Sequence, residues 1–124
     1  MASSPITCHV LDTTTGRPAA SLSVALTLIS PSSEAKGFIA TTDSDGRVKS
    51  WSTISPGPTL EDLFASTPGD GAMWSLRFDT GSYFGQGKTF FPEVEIKFFV
   101  GGKGEHYHVP LLLGPYSYTT YRGS

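Results

Sequence analysis

An all-β sandwich is the architecture these 124 residues predict. Apolar and polar residues alternate with period 2 through most of the ordered segments. Fourteen Gly and nine Pro punctuate the chain as turns do, and a helical protein would not tolerate so many. The intervals between these marks fit seven or eight short strands, the rhythm of a sandwich.

In "ITCHVL", from Ile6, residues Ile6, Cys8 and Val10 share one face and Thr7, His9 and Leu11 the other. Gly16 and Pro18 in "DTTTGRPAA" turn the chain into "SLSVALTLI", whose Leu22, Val24, Leu26 and Leu28 point inward. "KGFIATT" is the third strand, and "DSDG" at 43–46 is a turn whose Gly46 can take positive φ. That turn delivers Arg47 to the first position of a fourth strand, "RVKSW". "SPGPTLEDLFASTPGDG", from Ser55, reads as a long surface loop around one helical turn at "LEDLF". "AMWSLRFD" alternates as the fifth strand, whereas "TGSYFGQGKT" holds too much glycine for a helix. "FFPEVEIKFFV" sets Val94, Ile96 and Phe98 against Glu93, Glu95 and Lys97, and "GGKG" is expected to close a hairpin into the terminal strands.

Length suits one domain over 1–124. A net charge of −2 offers no basic footprint for phosphates, so nucleic acid is excluded as a partner. One cysteine allows no internal disulfide, which points to a reducing compartment. "MASSPIT" has no leader pattern and no run of 18 apolar residues occurs, so no membrane association is expected. The final "RGS" is not a peroxisomal "SKL", and the expected location is cytoplasmic, with a peroxisomal one left open.

Three histidines, His9, His106 and His108, are the residues most suited to chemistry. His106 and His108 share a strand face with Pro110 and Leu112, while Tyr107, Val109, Leu111 and Leu113 form the better core stripe. All three imidazoles therefore point away from the interior. Three readings stand open: solvated surface histidines; a metal site, for which only Glu105 is patterned as a further ligand; and acid–base work beside an arginine. Cys8 lies on the inward face as a small core residue, Ser124 lacks a G-x-S-x-G setting, and "GKT" at 87–89 lacks the first glycine of a phosphate loop.

"HVLDTTTGRPA", "TDSDGR", "FFPEVEIKF" and above all "HYHVPLLLGPYSYTTYRGS" resemble the transthyretin-like 5-hydroxyisourate hydrolases, over nearly the whole chain. The Tyr-Arg-Gly-Ser ending separates those enzymes from the hormone-carrier transthyretins. The resemblance implies a transthyretin-like (prealbumin-like) sandwich of two four-stranded sheets with at most one short helix. It also implies a homotetramer, a dimer of dimers with sites in the channel between dimers, which would turn outward histidines into channel walls. By the same resemblance His9, Arg47 and His108 would be catalytic, and Tyr121, Ser124, Thr119 and His106 would contact the small-molecule substrate. His106 could instead shape the rim or bond Glu105. No metal and no cofactor is implied.

The activity implied is hydrolysis of 5-hydroxyisourate to 2-oxo-4-hydroxy-4-carboxy-5-ureidoimidazoline in urate degradation, by a His-activated water with Arg stabilisation. The rivals are a non-catalytic carrier of a small aromatic ligand and a purely structural sandwich. Two departures from the family's pattern stand out. Gly114-Pro115 replaces its usual Ser-Pro, and the loop from Ser55 is longer, more as edge decoration than as a channel cover.

Overall fold

The computed structural model describes residues 4–31, 36–102 and 104–124. Ten strands and two short helices follow in the order β1 (Ile6–Asp12), β2 (Arg17–Pro18), β3 (Ser23–Ser30), β4 (Lys36–Thr41), β5 (Arg47–Val48), β6 (Ser52–Thr53), α1 (Leu60–Ala65), β7 (Ala72–Phe78), α2 (Thr80–Phe84), β8 (Val94–Val100), β9 (Tyr107–Leu113) and β10 (Tyr118–Thr120). One sheet runs β10-β9-β1-β2 with β5 also on β1, and the other runs β6-β4-β3-β7-β8.

The alternation read from the sequence decides which faces meet. Ile6, Cys8, Val10, Leu111 and Leu113 from the first sheet and Leu26, Trp74, Leu76, Phe78 and Val94 from the second are all at most 2% exposed. Burying such side chains is the main favourable term in folding, at roughly 1.5–3 kcal/mol each. No helix among the described residues is long and apolar enough to cross a membrane.

Four expectations need correction. Each sheet holds five strands rather than four: Arg17–Pro18 add a short strand on β1, and past the turn at "DSDG" the expected strand "RVKSW" gives way to two short ones, Arg47–Val48 on β1 and Ser52–Thr53 on β4. Trp51, between them, donates its indole N–H to the carbonyl of Ile6 at 2.8 Å. A second helix, α2, forms in the glycine-rich stretch. Asp79 caps it by accepting from the Ser82 N–H, Thr80 is fully buried and bonded to the Phe91 carbonyl, and the Tyr83 hydroxyl donates to Asp12 at 2.7 Å. Those tertiary contacts outweigh the poor helix propensity of glycine.

"GGKG" does not close a hairpin, since β8 pairs with β7 in the second sheet while β9 crosses to the first and lies parallel to β1. Nor is the loop from Ser55 mere decoration. Thr59 and Asp62 form a reciprocal capping box at the start of α1, and the helix turns Leu60 and Phe64, four residues apart, into the core. Phe64 meets the Tyr107 ring edge-on at 5.9 Å.

Candidate active site

The β1–β9 pairing builds the site. Its parallel register sets Thr7 opposite His108 and His9 opposite Pro110. On the other edge of β1 the antiparallel β5 sets Arg47 opposite His9. Residues far apart in the chain thus share one outward face.

Arg47 is held in place by its turn. The Asp43 carboxylate accepts the backbone N–H groups of Asp45 and Arg47 at 2.9 and 3.0 Å, and the Asp43 and Arg47 backbones bond at 2.9 Å. The Arg47 N–H bond, then that of Asp45 and the nearby Lys49 and Arg47 charges, hold the Asp43 carboxyl below its usual range, against a smaller opposing effect of burial. Gly46 has φ +74°, and a Cβ there would stand 2.4 Å from the Val10 carbonyl oxygen. Only glycine lets the turn sit that close to β1.

The cavity so formed measures about 200 Å3 and is lined by Thr7, Arg47, Lys49, His106, His108 and Ser124, with Cys8 and Val48. Two cations and two imidazoles concentrate in it, although the chain as a whole is acidic. An oxygen-rich or anionic molecule fits that charge. A larger open hollow of about 620 Å3, on the second sheet near Ile39, Arg77 and Glu93, has no histidine or cysteine in its lining. Chemistry rather than size singles out the smaller one.

The imidazoles cluster. The His9 and His108 ring centres are 6.5 Å apart, as are those of His106 and His108, the latter pair nearly parallel at 15°. The nitrogen Nε2 of His9 lies 2.9 Å from the carbonyl oxygen of Asp45. A carbonyl only accepts, so that nitrogen carries the proton and Nδ1 keeps the lone pair in the neutral ring. Burial, and then the charges of Arg47, His9 and His106, push His108 below its ordinary value. His108 is therefore neutral at neutral pH and able to accept a proton. Among the described residues no cluster of three His, Cys, Asp or Glu side chains is arranged to hold a metal. Burial pushes the Cys8 thiol up to about 12, which leaves it a core residue rather than a nucleophile.

The tail is anchored on both sides of β9. The Gly123 N–H donates to the His108 carbonyl at 2.8 Å, while Arg122 lies 4.6 Å over the Tyr107 ring and pairs with Glu105 at 3.2 Å. Ser124 consequently reaches the cavity. His106 bonds not to Glu105 but to Thr7, its Nε2 lying 3.0 Å from Oγ1.

Of the residues singled out in the sequence, Arg47, His106, His108 and Ser124 line the cavity and His9 stands beside it. Thr119 and Tyr121 do not line it. Both are exposed, and Tyr121 borders a neighbouring groove of about 330 Å3 with Ile96 and Phe98. Sequence reasoning missed Thr7 and Lys49. Each sits two residues from a chosen one, Thr7 from His9 and Lys49 from Arg47, so strand alternation alone puts them on the same face.

A two-sheet sandwich with an imidazole- and guanidinium-lined cavity on one outer face is a β-sandwich protein with a polar site. Residues 6–123 match the model of the family described as HIUase/Transthyretin, and the chain belongs to that family. A relative from Schizosaccharomyces pombe named probable 5-hydroxyisourate hydrolase is 45% identical over 124 residues, spanning 96% of this chain and 90% of its own. The solved 5-hydroxyisourate hydrolase of Klebsiella pneumoniae superposes with a TM-score of 0.68 at 28% identity, covering 96% of this chain and 98% of that one. Sea bream transthyretin, solved in complex with thyroxine, reaches 0.74 at 24% identity, covering 96% and 94%, and shares the fold.

Proposed function

We propose that the chain, as one hydrolase domain over 1–124, converts 5-hydroxyisourate to 2-oxo-4-hydroxy-4-carboxy-5-ureidoimidazoline, the ring opening that follows urate oxidation. The observation that carries this reading is the meeting of His108, Arg47 and the tail Ser124 in one small cavity, in a chain whose relatives are named for that reaction.

Water held between His9 and His108 attacks a ring carbonyl carbon, and an imidazole takes its proton as the C–O bond forms. Carbonyl electrons move onto the oxygen, where the Arg47 guanidinium stabilises the oxyanion. As the oxyanion collapses, the ring C–N bond breaks and the imidazolium returns its proton to the leaving nitrogen. The product is a ring-opened carboxylic acid, which ionises by releasing its remaining proton to solvent. Ser124 and His106 position the ring from inside the cavity. Thr119 and Tyr121 act from the channel walls of a homotetramer, a cytoplasmic dimer of dimers with its sites between dimers. Water, a base and a cation suffice for opening an electron-poor ring, so no step calls for a cofactor.

A carrier for an aromatic ligand would have little use for two imidazoles and two cations in its cavity. The test is to generate 5-hydroxyisourate in place from urate with urate oxidase and follow its ultraviolet absorbance with and without the purified protein. Decay above the spontaneous rate, lost in Arg47→Ala, supports the hydrolase. Decay at the buffer rate from a folded tetramer leaves the carrier in front.

A further inference from the structure

Thr7 touches two imidazoles at once. Its Oγ1 lies 3.0 Å from Nε2 of His106 and 2.8 Å from Nδ1 of His108, and the residue is only 6% exposed. We propose that Thr7 is a positioning residue that fixes which nitrogen of His108 acts as the base and joins that ring to the exposed His106. This assignment rests on the hydrolase reading.

A threonine hydroxyl has one hydrogen to give and two lone pairs to accept with. Among the described residues the hydrogen-bond partners of Oγ1 are the two imidazoles alone, so its hydrogen goes to one of them while the other donates. If His106 Nε2–H donates to Thr7 and Thr7 donates to His108, then Nδ1 of His108 is bare but occupied, and its Nε2 carries the proton. His108 is then no base. If His108 Nδ1–H donates to Thr7 and Thr7 donates to His106, Nε2 of His108 keeps its lone pair.

Charge favours the second arrangement. The cations Arg47 and Lys49 share the cavity with His108, and a ring nitrogen turned toward them is more stable with a lone pair than with an N–H. His106 can adapt, because it is exposed. The free edge of His108 also faces the tail. A Cβ on Gly123 would stand 2.7 Å from Cδ2, the atom next to Nε2.

The second arrangement also gives the captured proton a way out. When Nε2 takes a proton from water, the Nδ1 proton can pass to Oγ1 while the hydroxyl proton passes to Nε2 of His106. His108 is then neutral and His106 holds the charge until the reverse transfer restores the imidazolium, whose Nε2 proton goes to the leaving nitrogen. The groups facing His108 during this transfer are His9, His106, Arg47 and Lys49.

Nitrogen-15 spectra of the histidine side chains in the unmodified protein, taken above the ordinary imidazole value of 6.5, read the tautomer directly. A protonated Nδ1 and a bare Nε2 on His108 are expected. The reverse pattern overturns the proposal, whether or not any variant folds. Thr7→Val keeps the shape and removes the hydroxyl. In it the His108 tautomer should become mixed, and kcat should fall roughly 10- to 100-fold, with KM moving less than about 3-fold. Thr7→Ser should restore both. A valine variant with the wild-type tautomer and kcat would overturn the assignment. Absence of turnover in the wild type strikes the hydrolase reading alone, and the spectra still decide the role of Thr7.

Discussion

Gly123 and His108 are in contact along both backbone and ring. The glycine N–H donates to the histidine carbonyl at 2.8 Å, and a Cβ on the glycine would fall 2.7 Å from Cδ2 of the imidazole and 3.0 Å from Cγ of Pro110. Real side chains do not occupy that distance, so any larger residue must displace the ring or the tail. Gly123→Ala is expected to lower kcat/KM by about 10-fold or more while costing no more than about 1–3 kcal/mol of stability. Turnover and urea unfolding of the same preparation separate the two effects.

His9→Gln is the sharper probe of the other imidazole. The Gln amide N–H can still donate to the Asp45 carbonyl, which His9 meets at 2.9 Å, but it offers no basic nitrogen. The fold and assembly should persist while kcat falls roughly 10²- to 10⁴-fold. Turnover near the wild-type rate would remove His9 from the base pair and leave His108 alone in that role.

Acid should switch the enzyme off through His108. Its folded pKa is depressed first by burial, then by Arg47, His9 and His106. If His108 is the base, the acid limb of kcat/KM should lie below the ordinary 6.5. Arg47→Met removes one of those charges and should move the limb upward as well as lower the rate. Linkage has the same sign. A depressed imidazole contributes stability above its unfolded pKa and loses it as pH falls from 6.5 through the folded value. Folding free energy measured against pH in the wild type and in His108→Asn would show that acid-side slope only in the wild type.

Lys49 is the cavity's second cation, two residues beyond Arg47 and just past the end of β5. Its charge suits the carboxylate that the proposed ring opening forms. Lys49→Ala should raise KM several-fold, on the order of 1 kcal/mol, and high salt should blunt the difference. Steady-state kinetics at two salt concentrations checks this.

Phe64 tests the loop from Ser55 as part of the core. It is 5% exposed and lies edge-on to Tyr107 at 5.9 Å. Phe64→Ala should destabilise by about 3 kcal/mol without direct effect on the cavity, since no residue of the loop lines it. Equal loss of stability and of kcat at low temperature would instead tie the loop to the site.

Faces could be read from the sequence, and neighbours could not. Alternation sorted Ile6, Cys8 and Val10 from Thr7 and His9, and likewise split His106 and His108 from Tyr107 and Val109. That local information holds however the strands are paired. It does not say that β9 lies parallel to β1 with His108 opposite Thr7. The crossover at "GGKG" shows why: turn residues mark where the chain can bend but not which sheet the next strand joins. β8 ends its sheet with one edge unpaired, yet β9 joins the open edge of β1. Helix α2 was hidden for a related reason. Its stability comes from the Asp79 cap, buried Thr80 and the bond from Tyr83 to Asp12, none of which local propensity reports.

All strands of the second sheet fall between Ser23 and Val100, whereas the first joins β1, β2 and β5 to β9 and β10 across that whole span. Contacts that close a long span form late and slowly. During refolding, one half of the molecule can organise while the Thr7–His108 pairing is still absent. Regained activity should therefore lag behind regained strand content and coincide with the closing of β9 onto β1, which makes turnover a clock for the last event in folding.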